Sequence, residues 1–592
     1  DNYREKQNVA NVVQKRIYVD KYKIEDKMNT LVKRFENDEV VEFSSIMMES
    51  ECKMEKSMKK RYMYAVACSL LWSAQAMAQT AYDAVRYASD ELNGTARFVG
   101  MGGAMGALGA DISTIGTNPA GIGLFRGHDL STSFGMNSTK TESDFGGSMM
   151  NDKRNKASFD QIGFVYSTKI GNRTTLRYLN FGFNYHKSRN FNKLFAAGGM
   201  LGGLSQTQQM ANMMDLYSIK EIDNIYNYGA EGSGNLSNPY YNVDYPFLGI
   251  MGVRTELVGI GTFSNDKGEA YQRTIGWNGN SNGFRSREEG GINEYDFNVA
   301  FNVEDRMYFG ITLGVNDVNY TRSTYYTEDI YDGGHSGFYE LQNAYRTEGT
   351  GINLKLGAIF RPIEESPFRF GLAIHTPTWY SLTDTYSSNL YSKLTYQKED
   401  GTMLTPLEFV EKTVSYVGDI VQDYRLITPW KFNVSAGTTL GGIMALGAEY
   451  EYANFGSSRL YYNDGTPMDN QNEYTKSTLK GQHTLRVGME TRISSAFSVR
   501  AGYNYSTSAF KDGAYKSLNA NDMRTDTEYT NDLARNTVTV GLGYRSKWFY
   551  TDLAYKYDVY KSDFYAFSDE ALQATKVTNE RHQLLFTLGV HF

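Results

Sequence analysis

Charged residues that alternate with apolar ones are the first candidates for chemistry in this chain. Glu449 and Glu451 alternate with Ala448 and Tyr450; Arg486, Glu490 and Arg492 alternate with Val487, Met489 and Thr491, and Arg500 follows. A period of two puts such charges on one face of a strand. Acids and bases on one face can pair with each other and stiffen a wall, or they can hold the carboxylate head of a ligand. Arg486, Arg492, Arg500, Glu449 and Glu490 are the candidate head-group contacts. The seven histidines, His128, His186, His335, His375, His483, His582 and His591, are scattered, and no nucleophile motif accompanies any of them. Acid–base or covalent catalysis needs a positioned base beside its partner, so the chain is not expected to be an enzyme. No metal and no cofactor is expected either.

A second set of residues could receive something apolar. Met210, Met213, Met214 and Tyr217 recur at i, i+3, i+4 and i+7, with Ile222 and Ile225 following. Further on, Thr405-Pro406-Leu407-Glu408 reads as an N-cap, a proline at N1 and a glutamate at N3. Val410, Val414, Val417 and Val421 then line one helical face. Such faces outside a membrane pack on something or take up an apolar ligand, and methionine suits a surface that must adapt. Met210, Met213, Met214, Tyr217, Val410, Val414 and Val417 therefore form the candidate capture surface.

The elements that carry these residues read as strands. The chain has 592 residues, 57 Gly, 46 Tyr and 32 Phe against 9 Pro, with 41% hydrophobic and 21% charged residues. That average is too polar for a bundle of transmembrane helices and too aromatic for disorder. A net charge of −7 with no conspicuous basic patch argues against a nucleic-acid partner. The last nine residues alternate Leu584, Phe586, Leu588, Val590 and Phe592 with Leu585, Thr587, Gly589 and His591. A terminal strand of this kind, ending on an aromatic residue, resembles the signal read by the barrel-assembly machinery, which makes Phe592 a candidate partner contact.

Strands of about 9–11 residues that show one apolar face suit an outer-membrane barrel. Fourteen fit: 128–140, 157–169, 175–189, 292–303, 307–325, 345–361, 367–383, 424–439, 442–455, 479–493, 496–508, 535–545, 548–560 and 580–592. Every second connection is brief (169–174, 304–306, 361–366, 440–441, 494–495 and 545–547), and the intervening ones are mostly long. Short periplasmic turns and long outer loops alternate in that way in transmembrane barrels. The expected fold is all-β: a 14-stranded antiparallel transmembrane β-barrel with long extracellular loops, an N-terminal hatch in its lumen and both termini periplasmic.

Upstream, Met58-Lys59-Lys60-Arg61 precedes the apolar run 62–78, which closes on Ala76-Met77-Ala78. A basic start, a short apolar core and an A-x-A site are the parts of a secretory signal peptide. Residues 58–78 are expected to be that signal, and residues 1–57 a non-native upstream extension. Cleavage after Ala78 removes both Cys52 and Cys68, as suits export to an oxidising compartment. Residues 79–127 are expected to form the hatch and 128–592 the barrel.

The hatch segment is rich in Gly and Ala. Gly100, Gly102, Gly103 and Gly106 have the wrong spacing for a dinucleotide loop; their small size allows backbone to pack closely in a narrow space. The run GTARFVGMGGAMGALGADISTIGTNPAGIGLF, residues 94–125, resembles the N-terminal signature of the FadL/TodX family of outer-membrane transport proteins. ITPWKFNVSAGTTLG (427–441) and HTLRVGMETRISSAFSVRAGYNY (483–505) resemble that family's later strands more weakly. The resemblance implies a fourteen-stranded barrel plugged by a hatch in which Asn118, Pro119, Ala120 and Gly121 match the family's N-P-A motif. It also implies passive uptake of hydrophobic molecules such as long-chain fatty acids or aromatic hydrocarbons. Ligand would be captured by the outer loops and pass a hatch-gated lumen of a barrel set in outer-membrane lipid of a Gram-negative cell. Two other readings stand beside it. One is a surface binding or scaffold barrel that serves secretion as a shuttle. The other is a haemin receptor, which would want an axial ligand in an outer loop, and His335 is the loop histidine.

Overall fold

A computed structural model describes residues 79–230, 236–265, 267–398, 401–516, 518 and 522–592. The expected upstream extension (1–57) and signal peptide (58–78), with Cys52 and Cys68, lie outside the described residues.

Alternation decides the architecture. On the last strand, Leu584, Phe586, Leu588 and Val590 are 39–46% exposed, whereas Gln583, Leu585 and Thr587 are buried. The same outward apolar set recurs on Phe309, Ile311 and Leu313, on Phe370, Leu372 and Ile374, and on Val538, Val540 and Leu542. A sheet with an apolar outer face must keep that face from water and leave no open edge. It does both by closing into an antiparallel barrel of fourteen strands with a continuous apolar belt.

The strands are β1 (Asp129–Phe145), β2 (Ser148–Lys169), β3 (Leu176–Asn190), β4 (Asn278–Val303), β5 (Met307–Asp332) and β6 (His335–Phe360). β7 has two segments (Arg369–His375 and Trp379–Thr395), as does β8 (Ile420–Ile427 and Lys431–Leu440). They are followed by β9 (Met444–Asn454), β10 (Gly481–Arg492), β11 (Phe497–Ser506), β12 (Tyr529–Arg545), β13 (Phe549–Tyr565) and β14 (Thr575–His591). β1 pairs with β14 from Asp129↔His591 through Asp144↔Lys576, which shuts the barrel. Phe592 lies beside His128 at the end that carries the short turns.

The breaks in β7 and β8 have one cause. Pro377 and Pro429 lack the N–H that a ladder needs. Threonines beside them supply substitutes: Leu354 N–H donates to Thr376 Oγ1 at 3.0 Å, and Thr378 N–H donates to Thr428 Oγ1 at 2.7 Å. The two kinks lie side by side.

Several strands run further than a bilayer requires. β4, β5 and β6 have 26 residues each, and β1 and β2 meet over the two-residue turn Gly146-Gly147 instead of a long loop. Above the belt these strands pair on into an outer crown. There, α3 (Gln206–Met214), α4 (Ile219–Asn227) and α5 (Phe247–Arg254) pack over a core with Tyr320, Tyr339, Leu390 and Tyr424. The expected helix over 405–421 is absent. Leu407–Lys412 is instead a strand paired to the outer part of β7, and only Thr413–Val417 is helical. An available strand edge and β-branched valines override the capping pattern.

A charge on the outer face tests this arrangement. Phe586→Arg is expected to destabilise the folded barrel by about 2–4 kcal/mol if it lies near mid-bilayer. Urea titration in phospholipid vesicles measures it, and unchanged stability would mean that this face does not meet lipid.

Candidate functional site

The lumen is filled by residues 79–127. α1 (Ala81–Ala88) and α2 (Ala96–Gly100) are followed by short 3-10 turns at Ile112–Gly116 and Pro119–Leu124. Such irregular chain exposes many backbone donors and acceptors, and burying them without partners costs heavily. The barrel wall supplies the partners. Thr587 Oγ1 accepts from Ala96 N–H at 2.7 Å, Thr539 Oγ1 donates to Gly100 O at 3.1 Å, and Arg369 donates to Leu108 O at 2.8 Å. Lys556 Nζ donates to Leu92 O, and Asn180 Nδ2 to Ile122 O, both at 2.7 Å.

Close approach is allowed by a row of glycines. Gly437, Gly447, Gly488 and Gly502 are direct cross-strand neighbours on β8, β9, β10 and β11. A Cβ on Gly447 would collide with Ala104 O, and one on Gly488 with Met101 O. The hatch turn thus lies on bare backbone.

Asn118 ties the hatch to itself and to the wall. Its Oδ1 accepts from Ala120 N–H at 3.2 Å, while Nδ2 donates to Gly106 O at 2.9 Å and Ala358 O at 3.3 Å. Pro119 takes the first position of the turn that Asn118 caps, and Ala120 and Gly121 are buried beside it. His375 Nε2 lies 2.9 Å from Thr117 O. The Asn118–Gly121 segment is therefore a buried fastening point.

The alternating charges form a lattice shared by wall and hatch. Arg486 pairs with Glu449 at 2.6 Å and Glu451 at 3.2 Å, and Glu449 also accepts Gly106 N–H at 3.0 Å. Arg500 pairs with Glu490 at 2.6 Å and Asp552 at 2.5 Å, while Arg97 of α2 reaches the same Glu490 at 2.9 Å. Arg492 stands apart, exposed at the short-turn end. In this closed arrangement Arg486 and Arg500 are committed to carboxylates of the protein.

The hatch separates two cavities. Above it, toward the crown, a cavity of about 140 Å³ is lined by Phe98 and Ser113 of the hatch and by charged wall residues including Lys355, Lys431 and Glu451. Below it, one of about 260 Å³ is lined by Arg97, Asp111 and Ile112 with Asp129 and Asp552. Between them Thr95 Oγ1 donates to Asp111 at 2.8 Å, and Ser113 Oγ accepts Thr95 N–H at 2.8 Å. Ser113, which lines the upper cavity, and Asp111 and Ile112, which line the lower one, are thus adjacent in one bonded turn.

The N-terminal end of the hatch is latched to the crown. Gln79 Nε2 donates to Asp384 at 3.2 Å, so the first described residue lies against the inner wall at the level of the crown. Asp83 is fully buried between Arg524 at 2.8 Å and Arg86 at 2.5 Å. Burial pushes the Asp83 carboxyl up, but the two guanidinium groups override it and hold the group below the usual carboxylate range.

The crown divides the expected capture surface. Met210, Met213 and Met214 are at most 9% exposed, and Met210 and Met214 fill the space over Gly252 and Gly249 of α5. Tyr217 is partly buried and its hydroxyl donates to Asp244 O. The methionine face is packing, because α5 covers it. Val410 and Val414 remain 55% and 50% exposed, with Val417 partly buried. His335 Nδ1 accepts Gln397 N–H at 2.7 Å.

No known family's sequence profile matches the chain. Solved structures to which it is similar include a Pseudomonas aeruginosa FadL homologue (TM-score 0.47, 11% identity, 85% of this chain and 99% of that one). They also include the toluene transporters TodX of Pseudomonas putida (TM-score 0.41, 11%, 85% and 99%) and TbuX of Ralstonia pickettii (TM-score 0.40, 13%, 85% and 99%). Among curated proteins, Segregation and condensation protein A of Clostridium botulinum is 62% identical over 53 residues, 9% of this chain and 21% of that protein. The Clostridium perfringens protein of that name is 53% identical over 53 residues. The chain spans about a fifth of the length of the curated relatives it matches.

Two outcomes follow from these contacts. Gly488→Val places two methyl groups where Met101 lies, so the hatch should lift, with stability falling by about 1–3 kcal/mol and basal conductance rising; planar-bilayer recording with a thermal melt reads both. The Asp83 carboxyl is depressed in the folded state, so its contribution to the latch is complete above the ordinary carboxylate range near pH 4 and is lost as pH falls from there through the depressed value. A spin label at Ser89→Cys should stay ordered at about pH 4 and become mobile only as pH falls through that depressed value, and should be mobile at neutral pH in Asp83→Asn; equal mobility in all states would contradict the latch.

Proposed function

We propose that this protein is an outer-membrane channel for passive uptake of hydrophobic molecules, long-chain fatty acids among them, through a lumen gated by its hatch. The observation that carries the reading is the plug between two cavities of one barrel, lined on its two sides by the neighbouring hatch residues Ser113 and Asp111-Ile112. A structural pillar would not need cavities on both sides.

Capture begins on the crown, where Val410 and Val414 with Met403, Leu404 and Leu407 present apolar side chains to the exterior. Charged lumen walls favour a ligand with a polar head over a bare hydrocarbon, because apolar surface gains little against ionised groups that must stay hydrated or paired. That is why a fatty acid is the favoured substrate over toluene. Lifting the hatch withdraws Gly106 from Glu449 and Arg97 from Glu490, which leaves Arg486 and Arg500 with their wall carboxylates and frees the Arg97 guanidinium to meet a carboxylate. The barrel is set in outer-membrane lipid of a Gram-negative cell, and exposed Phe592 serves the assembly machinery. The haemin reading loses support because Gln397 already engages Nδ1 of His335.

Deleting residues 94–116 while keeping the barrel should convert a poorly conducting protein into an open pore in planar bilayers. Unchanged conductance with normal heat-modifiable migration would sink the gated-channel reading. Uptake of labelled oleate and of toluene by cells that depend on this protein then separates the substrate classes.

A further inference from the structure

One cluster in the wall has no part in holding the hatch. His186 of β3 is directly paired with Glu294 of β4, and Asp296 follows two residues on, on the same face. One ligating atom from each of His186, Glu294 and Asp296 lies within 4.8 Å of the others. The Glu294 carboxylate stands 3.5 Å from His186 Nε2, and the Asp296 carboxylate 3.7 Å from Nδ1. Those gaps are too long for good hydrogen bonds. Two ligands bound at ~2.1 Å to one tetrahedral metal stand roughly 3.4 Å apart, close to the Glu294–His186 spacing.

The unpaired atoms point the same way. Asp296 is fully buried, and its Oδ2 has no hydrogen-bond partner. Asn353 donates to Glu294 Oε1 at 3.2 Å, and its own Oδ1, also buried, is without a partner. An anionic oxygen that is out of water and unbonded calls for an ion or a water. Lys355 Nζ meets Glu294 Oε1 at 2.8 Å and Asp296 Oδ1 at 3.0 Å. It therefore engages one oxygen of each carboxylate and offsets one of two negative charges; Glu294 Oε2 is left facing Nε2 of the imidazole and Asp296 Oδ2 facing Nδ1, which also lies 3.4 Å from Asn184 Nδ2, so Nε2 is the nitrogen free for an ion. His186 and Glu294 line the upper cavity, and Gly116 of the hatch lies over the imidazole and Lys355.

We propose that His186, Glu294 and Asp296 form a binding site for one divalent cation of the zinc class, with open coordination positions toward the cavity. One imidazole with two carboxylates is a nitrogen–oxygen ligand set that such ions accept. The metal takes the oxygens that Lys355 leaves, and the Lys355 ammonium is a neighbouring positive charge with which it competes for the two carboxylates.

The test uses the full barrel in detergent with any affinity tag removed. Calorimetry with Zn²⁺ alone should show one site per chain, and Co²⁺ should give visible absorption of low-coordinate geometry with a nitrogen ligand. His186→Gln and Asp296→Asn should each weaken binding by at least about tenfold, the scale on which even outer-shell partners act. Lys355→Met should bind as tightly as the parent or tighter, since it removes a competing cation. If Asp296→Asn fails to fold, judged by heat-modifiable migration, His186→Gln carries the comparison. Absence of saturable binding by the parent protein would overturn the proposal, as would parent-like affinity in His186→Gln. Binding seen only in Lys355→Met would also overturn it, because Lys355 would then be the cation of the site.

Discussion

The constraint on which this structure depends is the satisfaction of backbone groups in a lumen that is neither water nor sheet. A fourteen-strand wall bonds its own backbone nearly throughout, the breaks at Pro377 and Pro429 apart, but the chain inside it has only short helices and turns. Each of those turns leaves donors and acceptors that need partners. The inward face of the wall is accordingly built as a set of hydrogen-bonding side chains, with Thr539, Thr587, Asn180, Arg369 and Lys556 each meeting one hatch group. The alternating pattern of the strands therefore serves two solvents at once. Outward residues answer to lipid, and inward ones to a specific irregular peptide.

Charge does the same double duty. A buried ion pair alone is weak evidence of stability, because desolvation offsets much of the attraction. The lumen pairs are networks in which one carboxylate bonds both a wall arginine and the hatch: Glu449 holds Arg486 and Gly106, and Glu490 holds Arg500 and Arg97. Removing the hatch leaves each network short of one donor but not of its counter-ion. That is a graded loss, which a movable plug requires. A hatch held by apolar packing alone would leave a greasy, collapsible lumen behind it.

Legibility from sequence followed the range of the interactions. The period of two at Leu584–Val590, and on the other strands, is set by the lipid a strand touches, so all fourteen strands could be read from local pattern. Strand lengths could not, because the extension of β4, β5 and β6 into the crown depends on pairing with each other. The helix expected over 405–421 failed for the same reason: its capping residues are local, but the edge that captured Leu407–Lys412 belongs to residues 389–394. Met210 and Met214 were rightly placed on a helix; that α5 covers them comes from a segment some forty residues on. Of the candidate charges, Arg486, Glu449, Glu490 and Arg500 were found because they alternate. Asp296 alternates too, in Tyr295-Asp296-Phe297, but its link to His186 and Lys355 crosses three strands.

The kinks bear on what the lumen can admit. Pro377 and Pro429 interrupt neighbouring strands at one level, and the threonines that repair the ladder there, Thr376, Thr378 and Thr428, line the upper cavity. A strand pair held at that level partly by side-chain oxygens is less constrained than one held by a continuous ladder, since a threonine side chain can turn its accepting oxygen away from the N–H. The wall beside the upper cavity thus departs from a continuous backbone ladder at this level. The hatch is fastened to that same region, through His375 and Thr117 and through Asn118 and Ala358. Movement of the plug and relaxation of the wall therefore draw on the same few bonds. On the proposed channel reading, a ligand that displaces one loosens the other, and selectivity then rests on polar contacts at mid-lumen and not on the width of the barrel.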